Sequence, residues 1–168
     1  LSLIDHNTDG THKASSKVAG DIVQTITNQV SAYGAGTAII PYDDTIPQNT
    51  EGTAFLTVSI TPTSATNNLI IETTMVCAAS VAASIIQALF KDNDLNALAA
   101  TVTYTSGTDQ PLTLSLRHTM SAGTTNVLTF AIRIGGHIAS TVYLNGVSGN
   151  RRFGGVSAST IKVTEIKT

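Results

Sequence analysis

The sequence predicts an all-β domain, a jelly-roll-like antiparallel β-sandwich with a short N-terminal helix. From Gly36 onward, apolar and polar residues alternate with a period of two, which is the spacing of half-buried strands. Clusters of Gly, Asn, Asp and Ser interrupt this alternation at regular intervals, as turns do. Charged residues make up only 12% of the chain, against 42% hydrophobic residues, and much of the remainder is Thr, Ser and Gly. Such a composition favours strands over helices.

The predicted helix covers Ala14 to Ser31 and comes before the strands. Its apolar residues lie four apart, which places them along one helical face: Val18, Ile22, Ile26 and Val30. An internal glycine and two β-branched threonines make this helix marginal in isolation. Bundled copies would form a stalk; the alternative is a helix that covers the core of its own domain.

Strands are predicted most clearly at 55–60, 112–117 and 128–133, where the alternation is strict. Turn signals at 61–68, 91–96, 106–110, 121–126, 135–137 and 145–150 divide the chain into about eight or nine strands. The Ala-rich segment Cys77 to Lys91 has helical propensity, but its neighbours on both sides are predicted strands. We therefore interpret most of it as strand, since small side chains let a sheet approach another subunit closely.

The chain is long enough for one domain with a core and a short appendage. We predict a connector with a stalk helix over residues 1–35 and a sandwich head over residues 36–168. The chain begins at Leu1 without a Met or a signal-like segment, so we expect a piece of a longer protein.

The distribution of charge predicts the partners. Between Gly52 and Phe90 the only ionisable charge is Glu72, and so neutral a surface suggests burial against identical copies in a homotrimer. A net charge of -2 with no basic cluster larger than two arginines argues against nucleic acid. The apolar run Met75 to Phe90 is too short to span a bilayer, so no membrane insertion is expected. The single cysteine, Cys77, is expected to be a buried free thiol.

Several short blocks, taken in order, resemble the C-terminal domains of bacteriophage tail-fibre and related virion surface proteins. They are Gly36-Thr37, Ile40-Pro41, Asp43 to Gln48, Glu51-Gly52, Ala88-Leu89-Phe90, Ala97 to Ala100, His118, Ala122-Gly123-Thr124, Thr129-Phe130, Arg133, Gly135, Asn145-Gly146 and Phe153-Gly154-Gly155. The resemblance implies a homotrimeric head of the receptor-binding type, assembled in the host cytoplasm, located on the virion as part of a longer fibre or virion protein. It also implies attachment to a host cell-surface saccharide or protein by many weak, linked contacts. The alternatives are a purely structural trimerisation cap, a capsid or virion decoration domain, and a depolymerase.

The sequence does not indicate an enzyme. It contains no nucleophile elbow, P-loop, dinucleotide-binding glycine motif or His-Glu-x-x-His. Asp43 and Asp44 are adjacent in sequence, so their side chains diverge in an extended segment and do not form a glycosidase pair. We interpret them as turn and edge residues.

A divalent metal at the N-terminal connector is the one cofactor that the sequence suggests. Asp5, Asn7 and Asp9 match the first half of an EF-hand loop, but Ser16 stands where the bidentate Glu is expected. His6 and His12 offer a second arrangement, in which symmetry mates on a threefold axis hold a transition metal. A plain turn rich in Asp and Asn is the alternative to both.

The predicted receptor site is the polar cluster Tyr143, Asn145, Asn150, Arg151 and Arg152. Saccharide sites use aromatic faces and planar polar groups, and this cluster provides the best combination in a chain without Trp. The alternative is a hairpin turn at Asn145-Gly146, followed by an Arg that pairs across strands.

Overall fold

The computed structural model describes residues 17–168, and in this range the fold is an antiparallel β-sandwich without an α-helix. The strands are β1 (Ile22–Val30), β2 (Gly34–Gly36), β3 (Thr53–Ile60), β4 (Asn68–Ala79), β5 (Ala83–Lys91), β6 (Ala99–Thr105), β7 (Leu112–Ser121), β8 (Leu128–Gly136), β9 (Val142–Leu144), β10 (Gly146–Val147), β11 (Asn150–Arg151) and β12 (Ser159–Ile166). A short 3₁₀ turn follows β11 at Phe153–Gly155. The predicted all-β sandwich is confirmed.

Two sheets form the sandwich. The first contains β1, β12, β4, β9 and β2 in that order, and β7 pairs with the other side of β4. The second has the order β3-β8-β5-β6, while β10 and β11 form a separate small hairpin. Apolar side chains of the two sheets meet in one core, with Phe130, Ile132 and Ile134 of β8 among its fully buried members. The alternating pattern places apolar side chains on one face of each sheet, and their burial between the two sheets is the main stabilising contribution.

The predicted N-terminal helix is wrong for the described residues, because β1 occupies Ile22–Val30 and pairs with β12 from Ile22↔Ile166 to Val30↔Ser159. Side chains four residues apart share a face in a strand as well as in a helix, so the spacing fitted both. The β-branched residues of this segment favour the strand. Residues 1–16 lie outside the described part, and the division of the chain into 1–35 and 36–168 stays a prediction.

The Ala-rich segment forms strands as predicted, but it does not present the exposed small-residue face that suggested a partner subunit. Ala78, Ala79, Ala83 and Ala88 are all fully buried within the single chain. Both faces of β5 are covered: one by the sandwich core and the other by the segment that precedes β3. These alanines therefore need no second copy for their burial.

A buried carboxylate holds one end of the sandwich together. Glu165 of β12 is inaccessible to solvent and accepts hydrogen bonds from Gln24 Nε2 at 2.6 Å, Asn67 Nδ2 at 2.7 Å and Thr63 at 2.8 Å from both its amide and its hydroxyl. Burial by itself would raise the pKa of Glu165, but these donors outweigh it, and the pKa lies below its ordinary value. The carboxylate thereby ties β1 and the loop 61–67 to the central strand.

A second buried polar group lies between the sheets. Gln87 of β5 is inaccessible to solvent, and its Nε2 donates to Thr73 Oγ1 at 2.5 Å. Its Oε1 is also buried and has no donor among the described residues. An unsatisfied buried acceptor costs stability, whereas an apolar pair of the same shape does not.

We therefore expect the double variant Thr73→Val/Gln87→Leu to be more stable than the wild type by about 1 kcal/mol in urea unfolding. Thr73→Val alone should destabilise the protein by about 1–2 kcal/mol, because Gln87 then has no partner for either polar atom. A double variant less stable than Thr73→Val would contradict this view of the pair.

Candidate functional site

The predicted receptor residues lie near the β10–β11 hairpin, at one end of the sandwich. Ser148 and Gly149 form its turn with φ angles of 47° and 83°, the left-handed conformations that a tight hairpin requires. Tyr33 supports this turn from below: its hydroxyl accepts from Gly149 N at 3.1 Å, and its ring stacks on Tyr143 with centroids 6.2 Å apart. Tyr143 therefore has a supporting position beneath the hairpin.

Asn145 differs from the other predicted receptor residues because it is fully buried. Its Nδ2 donates to the carbonyls of Val30 at 2.9 Å and Ala32 at 3.1 Å, and its Oδ1 accepts from Ser159 Oγ at 2.8 Å. The side chain is inaccessible to solvent and joins β1, β9 and β12. In this arrangement Asn145 has no polar atom free for a receptor.

Asn150, Arg151 and Arg152 are exposed, and two apolar side chains that were not part of the predicted site extend beside them. Phe153 is 79% exposed and Val156 is 84% exposed. Phe153 also has a φ of 50°, an uncommon conformation for a bulky residue and one that is often found at functional positions. We call residues 148–156 the tip. The signal in the sequence was an aromatic residue placed between two arginines and two glycines.

The second candidate surface is built by the segment between β2 and β3, which crosses the outer face of the β3-β8-β5-β6 sheet. Ile40 of this segment is buried against Ile86, Ala88 and Phe90. Arg133 of β8 fastens the segment by donating from Nε to Glu51 O at 2.6 Å and from Nη2 to Gly52 O at 2.8 Å. The segment therefore has a fixed position over the sheet.

A groove separates this segment from β6, which is an edge strand of its sheet. Two adjoining cavities of about 380 and 190 Å³ form the groove and share Asp43, Thr45, Pro47 and Ala100. The remaining lining residues are Pro41, Tyr42, Asp44, Ile46, Ile86, Ala97, Leu98, Ala99, Thr101 and Val102. Most of the lining residues are apolar, and the two exposed carboxylates, Asp43 and Asp44, form the rim.

The rim loop is ordered by Asp43, whose Oδ1 accepts from the amide of Thr45 at 2.8 Å and from its hydroxyl at 2.6 Å. Hydrogen bonding from the Thr45 side chain and then its amide lowers the pKa of Asp43, so this carboxylate is ionised at neutral pH. The sequence interpretation of Asp43 as a turn residue is confirmed. Its position beside a groove was not predicted.

Two exposed aromatic side chains, Tyr42 and Tyr104, lie on the same face of the sheet as the groove, and we call this surface the groove face. Tyr42 is 65% exposed, and its ring meets that of His137 edge-on with centroids 6.5 Å apart. His137 Nδ1 accepts from Ser84 N at 2.9 Å, which fixes the imidazole at the start of β5. Tyr104, on the same face of β6 as Val102, is 63% exposed. Two of the four tyrosines in the chain are thus displayed on this face.

The outer face of the other sheet is polar and contains one charged ladder. Glu72 of β4 contacts Lys162 of β12 at 2.7 Å and Arg117 of β7 at 4.0 Å. The hydrogen bond from Lys162 is the main reason that the pKa of Glu72 is lowered. Because these side chains are substantially exposed, the ladder contributes little to stability.

The predicted metal residues Asp5, His6, Asn7, Asp9 and His12 lie outside the described residues. Within residues 17–168, no group of three His, Cys, Asp or Glu side chains is arranged to hold an ion. Cys77 is buried as predicted, and burial raises its pKa to about 12. In the same range, no helix has the length and apolar character that crossing a bilayer requires.

The family model described as the Pgp3 C-terminal domain matches residues 23–168. The match begins in β1 and includes all the strands that follow. Among curated proteins, no sequence matches this chain.

Solved structures resemble the fold loosely. The structure of Eiger TNF from S. frugiperda has 11% sequence identity and a TM-score of 0.48, over 84% of this chain and 92% of that one. A CBM4 structure has 16% identity and a TM-score of 0.41, over 77% and 76% of the two chains. The structure of the infectious bursal disease virus Gx strain has 10% identity and a TM-score of 0.40, over all of this chain and 42% of that one. TM-scores below 0.5 carry no functional implication.

The family match overturns the predicted phage identity. Pgp3 is a chlamydial protein, so the tail-fibre assignment, the virion location and the host-attachment function are wrong, and host saccharide or protein as a partner is unsupported. The blocks that suggested phage fibres are short and lie largely at turns and strand ends, such as Asn145-Gly146 and Gly154-Gly155, where the backbone has positive φ at Asn145 and at both residues of the glycine pair. Turn chemistry of this kind recurs wherever a β-sandwich needs tight connections.

Proposed function

This chain belongs to the Pgp3 C-terminal domain family, and on that premise we propose that it is a non-enzymatic trimerisation domain of a virulence protein. Its role is to hold three copies of the chain together. The observation that carries the proposal is the exposure of large apolar side chains on two surfaces, the groove face with Tyr42 and Tyr104 and the tip with Phe153 and Val156. Apolar groups gathered in this way on a sparingly charged domain favour burial in an interface.

The absence of catalytic activity is part of the proposal and is supported by the environment of the reactive groups. The thiol of Cys77 is buried, and its raised pKa keeps it protonated, so it is a poor nucleophile. The carboxylate of Glu165 is fully engaged by donors from β1 and the loop 61–67. Asp43 is held by Thr45 in a turn.

The trimer is tested by size-exclusion chromatography with light scattering at micromolar concentration. We expect a mass three times the chain mass of 17.4 kDa. The ionic strength should be varied, because an interface that includes charged groups weakens as salt rises. A mass equal to that of one chain under all these conditions would overturn the proposed function.

A further inference from the structure

The tip is the one place between residues 22 and 166 where a basic residue lies outside the strands. Arg151 ends β11, and Arg152 follows it before the 3₁₀ turn at Phe153–Gly155. The other basic residues of this range all belong to the two sheets: Lys91, Arg117, Arg133 and Lys162. A protease that cleaves after arginine therefore finds its target side chain outside a strand only at the tip.

The backbone before the Arg152–Phe153 peptide bond has the shape that a protease binds. Arg152 is extended, with a φ of -106° and a ψ of 160°. Residues 148–154 are all exposed. Extended peptides bind other proteins through main-chain hydrogen bonds, and trypsin-like proteases hold the arginine side chain in an acidic pocket. The tip supplies both features at one bond.

The residues after this bond form a turn that opens easily. Phe153, Gly154 and Gly155 have φ angles of 50°, 62° and 93°. Two backbone hydrogen bonds close the turn, from Gly155 N to Arg152 O at 3.1 Å and from Val156 N to Phe153 O at 3.2 Å. Opening relieves the left-handed conformation of Phe153, and none of the side chains of the turn is buried. Exposed loop tips of this kind are preferred sites of proteolysis.

A cut at this bond does not release the strand that follows it. β12 begins six residues after Phe153 and is paired with β1 on one side and with β4 on the other. Its Ile161 and Val163 are inaccessible to solvent. Glu165 accepts hydrogen bonds from three side chains of β1 and the loop 61–67. These contacts hold the fragment 153–168 in the sandwich after the bond is gone.

We propose that the Arg152–Phe153 bond is a processing site for an arginine-specific serine protease, and that the product is a folded domain of two fragments, 1–152 and 153–168. In the hydrolysis, the oxygen of a water molecule joins the carbonyl carbon of Arg152, which becomes a carboxylate. Both protons of the water pass to the nitrogen of Phe153, which becomes an ammonium group. The reaction needs no other reactant.

Processing changes what happens when the domain unfolds. In the intact chain β12 stays tethered to the other strands, whereas in the cut chain the fragment 153–168 must be found again by diffusion. The cut domain therefore keeps its fold only until it first unfolds, and its lifetime is set by the unfolding rate. Processing leaves the folded state in place and removes the route back to it.

The experiment is a brief trypsin digestion of the full chain under native conditions, followed by mass spectrometry after denaturation. The first cut within residues 22–166 should give a C-terminal fragment that begins at Phe153. On a native size-exclusion column this fragment should elute with the rest of the domain. After heating and cooling at micromolar concentration, the cut protein should recover a smaller share of its β-sheet circular dichroism than the intact protein.

Matched variants separate the specificity of the cut from the fold. Arg152→Gln should reduce the yield of the fragment to background, whereas Arg151→Gln and Arg152→Lys should still be cut, because trypsin also accepts lysine. Chymotrypsin, which has an apolar pocket, should cut Arg152→Gln after Phe153 at a rate similar to that of the wild type. This control shows that the tip of Arg152→Gln is still exposed.

Each outcome decides one part of the inference. A first trypsin cut within a strand, such as after Arg117 or Lys162, overturns it, and so does a tip that chymotrypsin cuts but trypsin spares. Separation of the fragments on the native column, or equal recovery of cut and intact protein after heating, shows that β12 is not held as proposed. If light scattering finds a trimer and its tip resists both proteases, this inference is wrong and the proposed function stands. A monomer that is cut after Arg152 gives the reverse.

Discussion

Replacing Glu165 with Gln should destabilise the protein by about 2 kcal/mol at pH 7, because hydrogen bonds to a charged acceptor are stronger than those to a neutral one. The substituted amide also turns a donor group toward Gln24, Thr63 or Asn67, all of which donate to the native carboxylate. The midpoint of thermal unfolding should fall by roughly 4–8 °C for a domain of this size.

The difference in stability between the wild type and Glu165→Gln should depend on pH. The pKa of Glu165 is lower in the folded state than in the unfolded state, where it is about 4.5. The ionised carboxylate therefore contributes its full stabilisation above about pH 4.5. This stabilisation is lost as the pH falls from the unfolded pKa through the folded pKa. The stability difference between wild type and Glu165→Gln should therefore be constant from pH 7 to about pH 5 and should narrow at lower pH. Urea titrations at several pH values measure it.

The control is Glu72→Gln on the polar outer face. Glu72 also has a lowered pKa, but its contacts with Lys162 and Arg117 are partly exposed to solvent. The Glu72→Gln substitution should lower the free energy of unfolding by less than about 1 kcal/mol, as for most exposed ion pairs. Equal losses of stability in the two variants would show that burial does not strengthen the hydrogen bonds of Glu165.

Gly135→Ala should cost about 3 kcal/mol, although it adds a single methyl group. A Cβ at position 135 would lie 2.6 Å from Ala38 O and 2.8 Å from Ile40 N, and both are backbone atoms of the segment that crosses β8. Relief of this clash must move the segment away and so remove Ile40 from its contacts with Ile86 and Phe90. Because the same segment forms one wall of the groove, assembly should weaken together with stability.

Gly123→Ala is the matched control for this substitution. Gly123 has a φ of +70°, and no neighbouring atom lies within 4 Å of the point that an alanine Cβ would occupy. Alanine there meets only the backbone penalty of about 1 kcal/mol. Denaturant midpoints of the two variants, together with the trimer mass, measure the difference. If Gly135→Ala were no worse than the control, the segment would be more mobile than its contacts imply.

The strands that the sequence predicted well are those whose signal is local. The alternation in 128–133 lies within β8. The Ala-rich segment forms the end of β4 and all of β5, because its neighbours and its pairing outweigh helical propensity. The conformation of residues 22–30, which form β1, could not be predicted from a local signal. Its strand partner, β12, begins more than 120 residues later in the sequence, and no local pattern identifies such a partner.

The candidate site shows the same limit. The exposure of Arg151 and Arg152 was predictable from two charges in a glycine-rich turn, and the structure places both at the surface. The burial of Asn145 depends on the carbonyls of Val30 and Ala32, which come from the opposite end of the chain. The groove likewise joins Tyr42 to Val102, which are sixty residues apart, so only the fold brings its walls together.

The central position of β12 sets the order in which the domain can form. β12 lies between β1 and β4, so β1 has no hydrogen-bonded neighbour in its sheet until residues 159–166 arrive. During translation at about 5–20 residues per second, β1 waits on the order of 10 s with an unpaired edge. Refolding of the complete chain should also be slow, on the scale of milliseconds to seconds, because so many contacts join distant residues. Protection of β1 amides from exchange should therefore appear together with that of β12.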